Sequence, residues 1–206
     1  MALTIVDYVC LLLTALVAVY LIYRFFQFKP YGYLWYSLSF LILIIAGLLL
    51  LITGKFDVLN AKWVKVVATI IPFSLAIGLM VQYAEKLRLW WILILIVGLV
   101  LIALNTYGII GGKIWYPLFH AFAGLTIFLT PIILVVNKKV PPALLWVALG
   151  GALIGLGGIA LAFLSLGKQF LFFSADLVFT ILTPLLLVMT LAYTLGFVRV
   201  MHLENK

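Results

Sequence analysis

The stretch Gln169–Val198 reads QFLFFSADLVFTILTPLLLVMTLAYTLGFV, thirty residues carrying one charge, Asp176. A bilayer core of about 30 Å needs about 20 apolar residues in helical form. The stretch meets that length, so the chain is read as a membrane protein and this run as its last span. On a helix, Asp176, Thr180, Thr183, Leu187, Thr190 and Thr194 recur at steps of 4, 3, 4, 3 and 4. Such steps keep residues on one face. The last span therefore has a polar stripe headed by a carboxylate, with hydrocarbon on its other faces.

Composition extends the reading to the whole chain. Of 206 residues, 68% are hydrophobic and 9% charged, with mean hydropathy +1.39. Soluble domains carry roughly 25% charged residues. A water-soluble core of this size cannot hide so much apolar surface. The formal charge of +8 is scattered between apolar runs. That pattern fits membrane flanks and anionic headgroups and excludes nucleic acid as a partner. A single cysteine, Cys10, can form neither an internal disulfide nor a Cys-rich metal site. The N-terminus lacks the basic region and cleavage site of a signal peptide and is read as the first span.

Seven runs qualify as spans, at about 4–23, 33–53, 66–84, 89–110, 114–136, 143–166 and 169–198. The links are short, which makes successive helices antiparallel neighbours. The expected fold is an all-α integral membrane protein, one seven-helix transmembrane domain over 1–206. Eight basic residues (Arg24, Lys29, Lys86, Arg88, Lys138, Lys139, Arg199, Lys206) fall on one side and five (Lys55, Lys62, Lys65, Lys113, Lys168) on the other. The positive-inside rule then places the N-terminus outside and the C-terminus in the cytoplasm, in a multi-pass protein of the plasma membrane. All six tryptophans fall at span edges, where the amphipathic ring is expected.

A polar intramembrane site is expected from Asp176, His120, Asp7, Tyr116, Thr180 and Thr183. An acid inside a span is costly and raises a functional hypothesis with a partner to be named. His120 is the only histidine inside a span. It lies seven residues past Lys113, and Asp176 lies eight past Lys168. At 1.5 Å per residue both sit roughly 10–12 Å into their helices, so His120 is the expected partner of Asp176. Such a pair would serve as proton relay, cation site or ligand anchor; alternatively Asp176 bonds Tyr116, Ser174 or Thr180 and only fixes packing. Asp7 reads as a carboxylate at the end of the first span.

Small residues mark packing. Ala148, Gly151, Gly155, Gly158 and Ala162 step by 3, 4, 3 and 4 along the sixth span. Small residues so spaced let helices approach closely, so Gly151, Gly155 and Gly158 form the expected seam. Pro72, Pro131 and Pro184 lie inside spans and are expected to kink them.

No catalytic arrangement is visible, and the chain is not read as an enzyme. No cofactor and no metal are predicted: haem held by two histidines needs a second one within the spans, and zinc needs three or four ligands. Bound lipid is expected. Count and orientation resemble microbial rhodopsins and seven-helix sensor modules. Rhodopsins need a lysine midway along the last helix, and none stands between Lys168 and Lys206. The first functional expectation is an accessory or structural subunit of a larger membrane complex, partnered by other membrane subunits or by its own copies and by membrane lipids. A small transporter or proton/cation-coupled carrier using Asp176 and His120 is the alternative. A seven-helix sensor acting through a partner protein is the third.

Overall fold

Hydrocarbon offers a backbone no hydrogen-bond partners, so a crossing segment must satisfy its own amides. A helix does so within itself. In the computed structural model, which describes residues 1–112, 114–165 and 174–204, seven helices are long and apolar enough to cross a membrane. They are α1 (Ile5–Phe28), α2 (Tyr33–Thr53), α3 (Lys62–Tyr83), α4 (Arg88–Thr106), α5 (Trp115–Val136), α6 (Leu145–Ser165) and α7 (Ala175–Glu204). Short 3₁₀ turns at Phe56–Asn60 and Pro142–Leu144 precede α3 and α6. Among the described residues there is no strand, only an isolated bridge between Ala2 and Lys55.

The helix ends refine the expected spans. α1 continues past residue 23 to Phe28 and stops at Lys29, which is left-handed (φ 48°) and precedes Pro30. α2 stops at Gly54, also left-handed (φ 65°), whose N–H returns to the Leu50 carbonyl. α4 ends at Thr106 and not at 110. There Asn105 Nδ2 donates to the carbonyls of Ile110 (3.0 Å) and Gly112 (2.7 Å), folding the chain back on itself. α7 runs on to Glu204, beyond the expected 198. Its expected start, 169–173, lies outside the described residues, as do Lys113, Lys168 and Lys206. Pro72, Pro131 and Pro184 lie inside α3, α5 and α7, and each helix continues through its proline.

The helices pack in the order α1–α2–α3–α5–α6–α7, and α7 returns to α1. α4 sits against α3 and α5, outside that ring. Burial follows this arrangement: 61% of the most apolar stretch of α3 is buried, against 17% for that of α4. Interlocked rings occupy the centre. Phe25 packs against Tyr36 and Phe197 at 5.2 and 5.3 Å, Tyr36 against Phe197 at 4.6 Å, and Phe40 against Tyr193 at 5.8 Å. Offset and edge contacts at these separations add to the burial of the rings themselves.

A recurrent device sets helix spacing: a ring seated on a glycine of the next helix. Tyr36 sits on Gly78, Phe119 on Gly98, Tyr193 on Gly150 and His120 on Gly158. At each glycine an added Cβ would collide with the ring. Small residues here do what they do in membrane helices generally, trading a side chain for close approach.

Candidate functional site

The polar site assembles around Asp7. α1 opens with a capping box: Thr4 Oγ1 accepts from the Asp7 N–H (3.3 Å), while the Thr4 N–H and hydroxyl both donate to Asp7 Oδ2 (2.8 and 2.7 Å). The reciprocal bonds satisfy donors that a helix start leaves free, and the carboxylate lies at the positive end of the helix dipole. The other oxygen, Oδ1, accepts from Thr183 Oγ1 of α7 at 2.5 Å. Asp7 is 4% exposed and Thr183 fully buried. Three donors converge on an acceptor-only group, and one of them comes from 176 residues away. The pair joins the first and last helices and closes the ring.

The surrounding chain reinforces this end. Leu3 N–H donates to the Gly54 carbonyl (2.9 Å) and Phe56 N–H to that of Met1 (3.1 Å). The terminal amine pairs with Asp57 at 3.3 Å, both groups substantially exposed. Below them Leu11, Leu50, Phe56 and Leu182 form a separate apolar cluster, with Phe56 against Phe179 at 5.4 Å.

Asp176 and Thr180 depart from expectation. Both are exposed, and Thr180 Oγ1 bonds back to the Asp176 carbonyl (2.7 Å). The stripe does lie along one face of α7, but it straddles the edge of the buried face. At about 100° per residue, Thr183 and Thr190 fall just inside that edge and Asp176 and Thr180 just outside. Asp176 sits in the first turn of α7, where a carboxylate is favoured by the helix dipole without any buried partner. Thr190 and Thr194 bond to the carbonyls four residues back (2.7 and 2.8 Å), the usual self-satisfaction of threonine in a helix. Among the described hydroxyls of the stripe, only that of Thr183 donates to another helix.

His120 does not meet Asp176; no hydrogen bond or ion pair joins them among the described residues. Its ring stacks on Tyr116, one turn earlier (5.5 Å, 17°), and its Nε2 edge presses on Gly158 of α6. Nδ1 is buried without a hydrogen-bond partner among the described residues. The seam of small residues is therefore an α5–α6 contact, and its members differ. An added Cβ at Gly151 would stand 2.8 Å from Ile127 Cγ2 and 3.1 Å from the Phe128 backbone nitrogen. At Gly155 it would meet nothing within 4 Å among the described residues. Gly155 thus drops out as a tight contact, although Gly124 faces its Cα.

Of the expected site residues, the structure joins Asp7 with Thr183 and Tyr116 with His120, and leaves Asp176 and Thr180 apart. Thr4 was not anticipated, although Thr-x-x-Asp ahead of an apolar run is a legible capping signal. Among the described residues no group of three or more His, Cys, Asp or Glu gathers as metal ligands do. Comparison with protein-family models, curated proteins and solved structures finds no match.

Proposed function

We propose that the chain is a multi-pass subunit of a larger assembly in the plasma membrane, with a structural or accessory role. The observation that carries this reading is the placement of α4. Only Leu95, Gly98 and Ile102 are fully buried on it, with Trp91 reaching α5 through a hydrogen bond to Thr126 (3.1 Å) and a ring contact with Phe122. Its outward face, with Trp90, Leu93, Ile96, Val97 and Val100, is exposed. Lipid alone accounts for apolar faces on any span. What sets α4 apart is how little of it the chain itself covers. The polar groups inside the bundle lend support, since Asp7, Thr183 and Ser39 tie helix to helix.

The N-terminus faces outward and the C-terminus the cytoplasm, on the strength of the basic-residue asymmetry. Cysteine labelling at Asn60 and Asn137 in a Cys10→Ser background reads this orientation. The subunit reading is tested by placing a photo-crosslinking side chain at Val97, and at Leu48 of α2 for comparison, in native membranes. A discrete protein adduct from position 97, either a heterologous chain or a second copy, is the expected result. Lipid adducts alone from position 97, with a monomer on mild extraction, would overturn it. A carrier using Asp176 and His120 draws on one observation, the unpartnered Nδ1, and requires a second conformation that joins the two residues.

A further inference from the structure

At the end of the bundle opposite Met1, α1 and α7 meet through a different set of side chains. Arg24 Nη1 donates to the Tyr20 hydroxyl (2.8 Å), and Nη2 donates to His202 Nε2 (2.7 Å). A guanidinium is always charged and has no acceptor, so the imidazole nitrogen takes this bond on its lone pair. The guanidinium carbon lies 4.8 Å from the Phe28 ring centre, and Phe28 meets the His202 ring edge-on at 5.3 Å. Among the described residues, one phenol oxygen, aromatic faces and one imidazole face the charge. Among the described residues no carboxylate pairs with Arg24, and none offers a partner to its buried Nε.

Nε and Nη2 form one side of the guanidinium fork, the side on which two oxygens of an oxyanion dock in parallel. One of these donors is unspent. The other is spent on a neutral nitrogen from an exposed side chain in the last turn of α7, which can turn away. Arg199, one turn before His202, is exposed as well and adds positive charge to this end. We propose that Arg24 and His202 form a binding site for a phosphate-type oxyanion. The anion takes the Nε–Nη2 side of the fork, uncovered as His202 swings off it, and His202 turns from accepting the arginine's hydrogen bond to donating its own to the anion. A phospholipid headgroup and a free phosphate compound share this chemistry.

The test uses the full chain in detergent, with melting followed by tryptophan fluorescence. Dioctanoyl phosphatidate, dioctanoylglycerol and inorganic phosphate are titrated separately. Saturable stabilisation by phosphatidate and not by dioctanoylglycerol is expected. Added protection by inorganic phosphate assigns the site to free phosphates; protection by phosphatidate alone assigns it to lipid. Arg24→Gln should weaken the apparent affinity by about tenfold or more, since it removes a charge-assisted bidentate contact. His202→Ala should weaken it several-fold, and Lys138→Gln should leave it unchanged. If Arg24→Gln does not fold, Arg24→Lys, which keeps the charge and loses the fork, should show the same loss. Stabilisation by neither phosphate, equal stabilisation by dioctanoylglycerol, or equal losses in Lys138→Gln would overturn the site.

Discussion

Asp7 and His120 are both buried polar side chains at helix contacts, and the molecule treats them oppositely. Asp7 receives three hydrogen bonds, from Thr4 beside it and from Thr183 across the ring. His120 receives none at Nδ1 and is held by shape, stacked on Tyr116 and pressed against Gly158. A buried donor or acceptor left unmade costs about 1–3 kcal/mol, and more if the group is charged. The carboxylate therefore needs its partners, whereas a neutral imidazole can be retained by packing alone. At the α1–α7 contact a polar bond sets the register; at the α5–α6 contact a glycine does.

The largest effect expected from this contrast is at Gly158. Gly158→Leu drives a side chain into the His120 ring, with no space to receive it. Extra methylenes in a tight site cost about 1–3 kcal/mol, and a whole leucine side chain driven into a ring that already excludes a Cβ lies beyond that range. Monodisperse protein on size exclusion in detergent should be nearly lost, while Gly155→Ala should match wild type. The double change Gly158→Ala with His120→Ala should recover much of the yield that Gly158→Ala loses. Equal yields for the 155 and 158 variants would remove the glycine seat from the comparison.

Next comes the clasp. Asp7→Leu removes the carboxylate half of the α1 capping box and the tie to α7, and leaves the Thr4 cap on the backbone N–H of position 7. A lost capping contact costs about 1 kcal/mol, and a hydrogen bond to a charged group is worth about 1.5–3 kcal/mol. Unfolding in mixed detergent micelles should show a loss of about 2–4 kcal/mol, with about 1–2 kcal/mol for Thr183→Val. A double-mutant cycle between positions 7 and 183 should give a coupling that Asp7 with Thr180 does not. No coupling between 7 and 183 would mean that the ring closes without the bond.

How much of this could be read in advance differs between fold and site. Seven spans are legible because the bilayer imposes one length and one composition on each. Their ends are less so, since α4 stops where Asn105 captures two carbonyls beyond it, a local bond with no periodic signature. The stripe on α7 shows that a polar face exists and roughly how wide it is. It does not show how α7 is rotated against its neighbours, and a turn of some tens of degrees decides whether Asp176 or Thr183 points inward. Depth along the helix axes pairs Asp176 with His120. Rotation about those axes, which the spacing leaves free, pairs Asp7 with Thr183. The same freedom separates Gly151 and Gly158, which meet α5 closely, from Gly155 between them.

The smallest effect should come from removing the histidine itself. His120→Leu keeps a similar volume on the Gly158 seat and discards a buried donor or acceptor that the structure leaves unpartnered at Nδ1. Replacing an unsatisfied polar group by an apolar one of like shape is nearly neutral or stabilising. The imidazole–phenol stack with Tyr116 is lost, which sets against that gain about 0.5–1.5 kcal/mol for a ring pair. The two nearly cancel, so His120→Leu should unfold within about 1 kcal/mol of wild type in the micelle assay used for Asp7. A loss above about 2 kcal/mol would mean that Nδ1 has a partner in the folded protein. The contrast between the two buried groups would then fail at the histidine. A folded His120→Leu protein that fails to join its assembly would give the opposite lesson, that packing retains the imidazole for what it does and not for what it stabilises.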